Sequence, residues 1–301
     1  MLCKKLRPAI LPLLVLLLTL CCAPAYGFDT AADDHLLILV NSAHRLDAAY
    51  QPDNLQDIAD RAPSKKGSMK LAAPAAEAYV QMIDAYRAEH RQAVYSISGY
   101  RDYAYQKRLF LSKLNHRQQA GQSYNTAYRN TLLYTAQPGT SEHQTGLAID
   151  LSTNAALSNN FRNTVQGKWL LANCWDYGFV LRYDENKTRE TAIAYEPWHY
   201  RYVGLPHSLI MRENDWVLEE YISTLQQQGM VEFADPADDD VLWQIYWTDD
   251  TLQEFDGVQS VSSDNAGGYI ITTKTSRISS ILTAWAREAV SAGILHTRTA
   301  A

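Results

Sequence analysis

A histidine and an aspartate flank a glycine turn and an apolar stretch in Ser141-Glu142-His143-Gln144-Thr145-Gly146-Leu147-Ala148-Ile149-Asp150. A neutral imidazole and a carboxylate are both good zinc ligands. Gly146 lets the chain bend, which brings two side chains seven residues apart towards one point. A second segment, Tyr195-Glu196-Pro197-Trp198-His199-Tyr200, offers another carboxylate and another imidazole three residues apart. Pro197 biases Glu196 away from the α region, so this pair is not the helical His-Glu-x-x-His metal-binding arrangement. A third segment, Ser98-Gly99-Tyr100-Arg101-Asp102 with Gln106 beyond it, sets an arginine between a strand end and a helix start. A guanidinium there can clamp a carboxylate or stabilise an oxyanion.

Taken singly, each segment has a plain reading: a hydrogen-bonded surface pair, a strand edge with an incidental histidine, a surface arginine. Taken together, they hold the inventory for zinc-assisted amide hydrolysis. His143, Asp150 and His199 would hold one zinc ion and leave its fourth position open for water. The metal lowers the pKa of water and polarises the scissile carbonyl. Glu196 would take the water's proton and pass it to the leaving amine. Arg101 would stabilise the developing negative charge.

The elements that must position these residues alternate in type. Apolar Ala75, Tyr79, Met82, Ile83 and Tyr86 recur at helical spacing in a helix starting near Leu71. A short strand runs from Val94 to Ser98, and Asp102 then caps a helix running towards Gly121. The apolar stretch before Asp150 reads as a strand. A further helix spans about Phe161 to Tyr177 and stops at Gly178. Strands are expected at Phe179–Tyr183 and near Ala192–Tyr195. This order, without a Gly-rich phosphate loop, predicts an α+β fold: a small, mostly antiparallel sheet flanked by helices. Beyond Gly204 a helix is expected from Trp216 to Leu225, then an acidic linker from Ala234 to Asp240. Residues 241–273 are rich in β-formers and turn residues, and Ile278, Ile281, Leu282, Trp285 and Ala289 fit one face of a final helix. These features predict a small C-terminal accessory unit.

The N-terminus reads as a signal peptide. Lys4, Lys5 and Arg7 precede an apolar run from Ala9 to Leu20, and small residues around Ala23, Ala25 and Gly27 follow. An uncleaved anchor, or lipidation at Cys21, are the alternatives. The expected organisation is therefore residues 1–27 as signal peptide, 28–228 as catalytic domain and 229–301 as accessory region. Cleavage after Gly27 removes three basic and no acidic residues, taking the formal net charge from −6 to −9. An acidic protein is a poor nucleic-acid binder. Cleavage also leaves Cys174 as the only cysteine, and its apolar surroundings place it in the core.

Three quoted patterns carry a family resemblance: Ser98-Gly99-Tyr100-Arg101, the Ser-x-His-x-x-Gly-x-Ala-x-Asp spacing over 141–150, and Glu196-Pro197-Trp198-His199-Tyr200-Arg201-Tyr202-Val203-Gly204. The chain resembles the VanY-type D-alanyl-D-alanine carboxypeptidases, zinc peptidases related to lysostaphin-like and Hedgehog-like folds, from near Leu39 to about Tyr221. The resemblance implies zinc at His143, Asp150 and His199, with Glu196 as base and Arg101 as the site's arginine. It also implies substrate binding by Ser141 and Gln106, with Trp198 lining the pocket. Asp102 departs from the family, which often has serine there; it can cap a helix or add negative charge beside the substrate's carboxylate. The implied substrate is a peptidoglycan stem peptide or its precursor, met outside the cytoplasmic membrane after export. No nucleic acid is implied, and contact with the membrane only through an uncleaved signal or lipid anchor. Still open are an L,D-carboxypeptidase acting on tetrapeptides, a dipeptidase, and a wall-binding zinc module without turnover. His207 is open between supporting the site and lying at the surface.

Overall fold

An antiparallel pair, Leu55–Asp57 (β1) and Lys70–Ala72 (β2), leads directly into a helix, Ala73–Glu89 (α1). The computed structural model describes residues 27–281 and Trp285. Pro74 opens α1, where its missing N–H costs nothing. Ala75, Tyr79, Met82, Ile83 and Tyr86 are all fully buried, so the predicted apolar stripe is the face that meets the core.

The central sheet is built from Tyr95–Ser98 (β3), Ala148–Ser152 (β4), Phe179–Leu181 (β5) and His199–Tyr202 (β6), all antiparallel in the order β3-β4-β6-β5. One face is apolar: Ile149, Leu151, Phe179, Leu181 and Tyr200 join the core beneath α1. The other face is polar and carries Asp150, His199 and Arg201. Strand periodicity produces this division, since alternate side chains point to opposite faces. All five residues of β4 are buried, including Asp150 and Ser152.

Between β3 and β4 lie Tyr103–Gln119 (α2) and Tyr124–Leu132 (α3). Phe110 and Leu114 of α2 pack on Ala127 of α3. Asp102 is the N-cap of α2, its carboxylate accepting from the Tyr105 amide. Between β4 and β5, the expected Phe161–Tyr177 helix is α-helical only over Val165–Asn173 (α4), with 3₁₀ turns on both sides. Gly178 stops it in the left-handed conformation, φ 77°.

The expected strand near Ala192–Tyr195 is not formed. A short helix, Thr188–Thr191 (α5), ends at Ala192 with φ 58°, and the extended segment begins only at His199. The run Ala-Ile-Ala-Tyr is apolar enough to suggest a strand, but the left-handed turn breaks it.

After β6 come His207–Asn214 (α6) and Leu218–Gln228 (α7). The tail then forms a second antiparallel sheet of Met230–Ala234 (β7), Val241–Thr248 (β8), Val258–Ser263 (β9) and Tyr269–Ser276 (β10), in the order β7-β8-β10-β9. The acidic 235–240 stretch is the turn between β7 and β8, not a linker between units. Ile245 and Ile270 of this sheet share one apolar cluster with Leu218, Tyr221, Ile222 and Leu225 of α7 and with Leu37 and Leu39. The fold is α+β, with the accessory sheet seated on the helices behind the site. Residues 277–281 begin the expected final helix, whose Leu282 and Ala289 lie outside the described residues. The signal-peptide segment, residues 1–26, lies outside them too.

His207 sits in this seam, not in the site. Its Nδ1 lies 2.9 Å from the Tyr221 hydroxyl and its Nε2 3.1 Å from the Thr272 hydroxyl. Burial pushes its pKa from 6.5 down to about 3. The unfolded chain therefore binds a proton that the folded chain refuses between those values. Stability present above pH ~6.5 is lost as pH falls, by about 1.4 kcal/mol per pH unit from this group. His207→Gln removes that dependence. Urea midpoints of the wild type should fall more steeply than those of the variant between about pH 6 and 4; parallel slopes would contradict this placement.

Candidate metal centre and active site

The sheet register brings the three predicted segments together. Asp150 on β4 pairs with Ser98 on β3 on one side and with His199 on β6 on the other. Directly opposed residues point their side chains to the same face. Asp150 and His199 are therefore neighbours across strands although 49 residues separate them, and Asp150 Oδ1 lies 3.0 Å from His199 Nδ1.

His143 arrives from a 3₁₀ turn, Glu142–Thr145, closed by Gly146 at φ 69°. A Cβ on Gly146 would lie 2.9 Å from the Ala72 amide nitrogen, so backbone conformation and space both call for glycine. The His143 Nδ1 lies 2.8 Å from the Gly99 carbonyl oxygen, to which it donates as Nδ1–H. That bond turns Nε2 towards Asp150, whose Oδ2 lies 3.4 Å away. Gly99 in turn presses on β2, where a Cβ would meet the Lys70 carbonyl at 2.5 Å.

One ligand atom from each of His143, Asp150 and His199 lies within 4.8 Å of the others, and all three residues are buried. The electrostatics suit a cation. Burial, and then Arg101, lower the His143 pKa to about 4, so this ring is neutral. Burial alone would depress His199 too, but the carboxylates of Asp150 and Glu142 outweigh it and lift that ring to about 9. Asp150 is held well below the usual carboxylate range: burial opposes ionisation, but the two histidines prevail. A proton held this firmly among carboxylates marks a place where a metal ion is favoured, and metal binding would displace it.

Arg101 leaves β3 through Gly99 and Tyr100 and folds back beside this cluster. Its Nη1 donates to Ser98 Oγ at 2.7 Å, its Nη2 to Ser141 Oγ at 3.5 Å, and its Nε to Gln106 Oε1 at 2.9 Å. Its Nη1 also lies 3.6 Å from Asp150 Oδ2. Gln106 spends its other group on the Ala136 carbonyl. It is buried behind Arg101 and grips the guanidinium, while Arg101 and Ser141 line the cavity. Glu196 precedes β6, with an oxygen 3.8 Å from His199 Nδ1. Burial raises its pKa to about 8. Trp198 and Tyr183 complete the wall, and the Tyr183 ring lies 4.8 Å from the His199 ring. The cavity holds about 360 Å³.

A model of the D-alanyl-D-alanine carboxypeptidase family VanY matches residues 68–205. The chain is 34% identical over 196 residues to the bifunctional D-Ala-D-Ala dipeptidase and D-Ala-D-Ala carboxypeptidase VanXYC of Enterococcus gallinarum, spanning 64% of this chain and 95% of that protein. The chain belongs to the VanY family of D-alanyl-D-alanine carboxypeptidases. Among solved structures it resembles the LdcB LD-carboxypeptidase, at 35% identity and a TM-score of 0.55 over 62% of this chain and 86% of that one. It also resembles a mutant of the D,D-pentapeptidase VanY from a VanB-type resistance cassette, solved in complex with Zn(II), at 29% identity and a TM-score of 0.54 over 63% of this chain and 99% of that one. As a VanY-family chain, the protein is a peptidase of the hydrolase class.

One component of this VanY-family site was not singled out from the sequence. Glu142 is fully buried, and its Oε1 accepts from Arg182 Nε at 2.7 Å and Arg201 Nη1 at 2.9 Å. Arg182 is held in turn by a bidentate pair with Glu219, at 2.7 and 2.8 Å. The other oxygen, Oε2, faces His199 Nε2 at 3.5 Å, and neither atom has a hydrogen-bond partner among the described residues. The Glu142 carboxylate thus backs the outer nitrogen of one histidine much as the Gly99 carbonyl backs the other. Glu142→Ala would leave the buried Arg201 guanidinium without a carboxylate and Arg182 with Glu219 alone, and stability should fall by about 3–5 kcal/mol. Urea unfolding measures this; an unchanged midpoint would show that the network is not needed for folding.

Proposed function

We propose that this protein is an exported, zinc-dependent carboxypeptidase that removes the terminal D-alanine from peptidoglycan stem peptides. The observation that carries the reading is the convergence of His143, Asp150 and His199 within 4.8 Å, next to a buried Glu196 and a braced Arg101. The donor set of two imidazoles and one carboxylate suits zinc at a site with an open position.

In this reading His143, Asp150 and His199 hold one zinc ion, which supplies Lewis acidity for water activation and carbonyl polarisation. Glu196 accepts the proton of the attacking water and delivers it to the departing amine. Burial brings its pKa near neutrality, which suits a group that must both take and give a proton. Arg101, fixed by Ser98, Ser141 and Gln106, offers its charge to the oxyanion or to the substrate's terminal carboxylate. Ser141 and Trp198 contact the substrate, and Gln106 acts on it through Arg101. Residues 28–228 form the catalytic domain and 229–301 the accessory region, with 1–27 directing export. No helix among the described residues is long and apolar enough to cross a membrane.

The test is mass analysis of products from a defined pentapeptide ending in D-Ala-D-Ala and from the corresponding tetrapeptide. The expected result is loss of one alanine from the pentapeptide, abolished by a chelator and restored by zinc. Cleavage of the tetrapeptide alone would assign the L,D-carboxypeptidase reading, which the likeness to LdcB supports. Glu196→Ala should lower kcat by about 10²–10⁴-fold while the protein stays folded. Full activity in that variant would overturn the role of Glu196.

A further inference from the structure

One face of α2 runs along the cavity. Tyr105, Leu109, Lys113 and Arg117 recur every four residues and all line it, while the adjoining stripe, Gln106, Phe110 and Leu114, is buried. From Tyr105 to Arg117 this wall extends about 18 Å at 1.5 Å per residue. An extended peptide covers that length with about five residues.

Charge along the cavity is divided. Its acidic lining residues are Glu142, Asp150 and Glu196, all in the catalytic cluster. Its other cations besides Arg101 are Lys66, Lys113 and Arg117, and none of them forms an ion pair among the described residues. Lys66 stands near Tyr105, its Nζ 5.9 Å from the ring centroid. Lys113 and Arg117 lie two and three turns further along α2, on the face turned to the cavity. These unpaired cations converge on one wall although the chain's formal net charge is −6.

A carboxypeptidase encloses the last residue and leaves the rest of the peptide to extend along the open part of its cavity. We propose that Lys113 and Arg117 form an anion subsite on α2 that pairs with a carboxylate of the substrate peptide upstream of the scissile bond. The inference rests on the carboxypeptidase reading and deepens it: the enzyme would read a charge several residues from the end it trims, as well as the end itself. Arginine offers that carboxylate a bidentate partner and lysine a second charge. Because both side chains are solvated, the pairing is modest and salt-sensitive.

The experiment uses two pentapeptides, both ending in D-Ala-D-Ala and differing only in whether the upstream carboxylate is free or amidated. Equilibrium binding is measured to the full chain carrying Glu196→Gln, with and without the added pair Lys113→Gln and Arg117→Gln. The free acid should bind about tenfold more tightly at low ionic strength, with the preference fading as salt rises. The Lys113→Gln/Arg117→Gln protein should bind both peptides alike, with the affinity for the amidated peptide unchanged. Equal or absent binding of the two peptides to the parent protein, or a preference that survives the double substitution, would overturn the subsite. Turnover of the amidated pentapeptide by wild-type protein reports on the carboxypeptidase reading separately.

Discussion

Two guanidiniums converge on a single oxygen of Glu142, and all three side chains are buried from solvent. Desolvating such groups is costly, and only close, well-formed pairing offsets it. The carboxylate is therefore tightly constrained, and so is the 3₁₀ turn that carries it. His143 is the next residue in that turn. Arg201 lies two residues beyond His199 on the same face of β6, and Arg182 follows directly on β5. The network thus links the turn of one histidine to the strand of the other. Through Glu219 it also reaches α7, and through the Leu36 and Ile38 carbonyls that accept from Arg201 it reaches the N-terminal segment.

This network sits beside the cross-strand row Ser98, Asp150 and His199. The row sets where donor atoms meet, and the buried charges set how the rings are turned. Both histidines have an outer nitrogen facing a fixed oxygen, the Gly99 carbonyl for His143 and Glu142 Oε2 for His199. Partners of this kind govern which ring nitrogen faces a metal and how strongly it donates. Arg101 is braced in the same manner, with Nη1, Nη2 and Nε each donating one bond, to Ser98, Ser141 and Gln106 in turn. Little of this arrangement lies at the surface, which is why Glu196 and His143 depart so far from their ordinary titration ranges.

Much of this was legible from residue types and spacing. The stripe on α1, the cap at Asp102, the stop at Gly178 and the three converging segments follow from local rules of periodicity, capping and ligand chemistry. The Glu142 network was not legible, because its partners stand 40 and 59 residues away and only the sheet register unites them. The family resemblance assigns Gln106 to the substrate, and nothing local in the sequence shows that Arg101 folds back onto it. The α3 helix escapes notice because only Ala127 and Thr131 of its nine residues are buried, too few for a visible stripe. The supposed strand near Ala192 fails for a backbone reason, a left-handed residue that composition does not announce. The tail's β content was legible, but its seating on α7 and on Leu37 and Leu39 was not, since apolar clusters drawn from distant segments leave no pattern in sequence.

The metal centre is tested most directly by counting zinc. Purified protein, stripped and reloaded, should bind one equivalent tightly enough to compete with a chromogenic chelator. Asp150→Asn, which keeps the shape of the side chain but removes its charge, should weaken that binding by about a hundredfold or more while the fold persists. Zinc bound equally well by wild type and Asp150→Asn, or no tight equivalent in the wild type, would contradict a centre built from His143, Asp150 and His199.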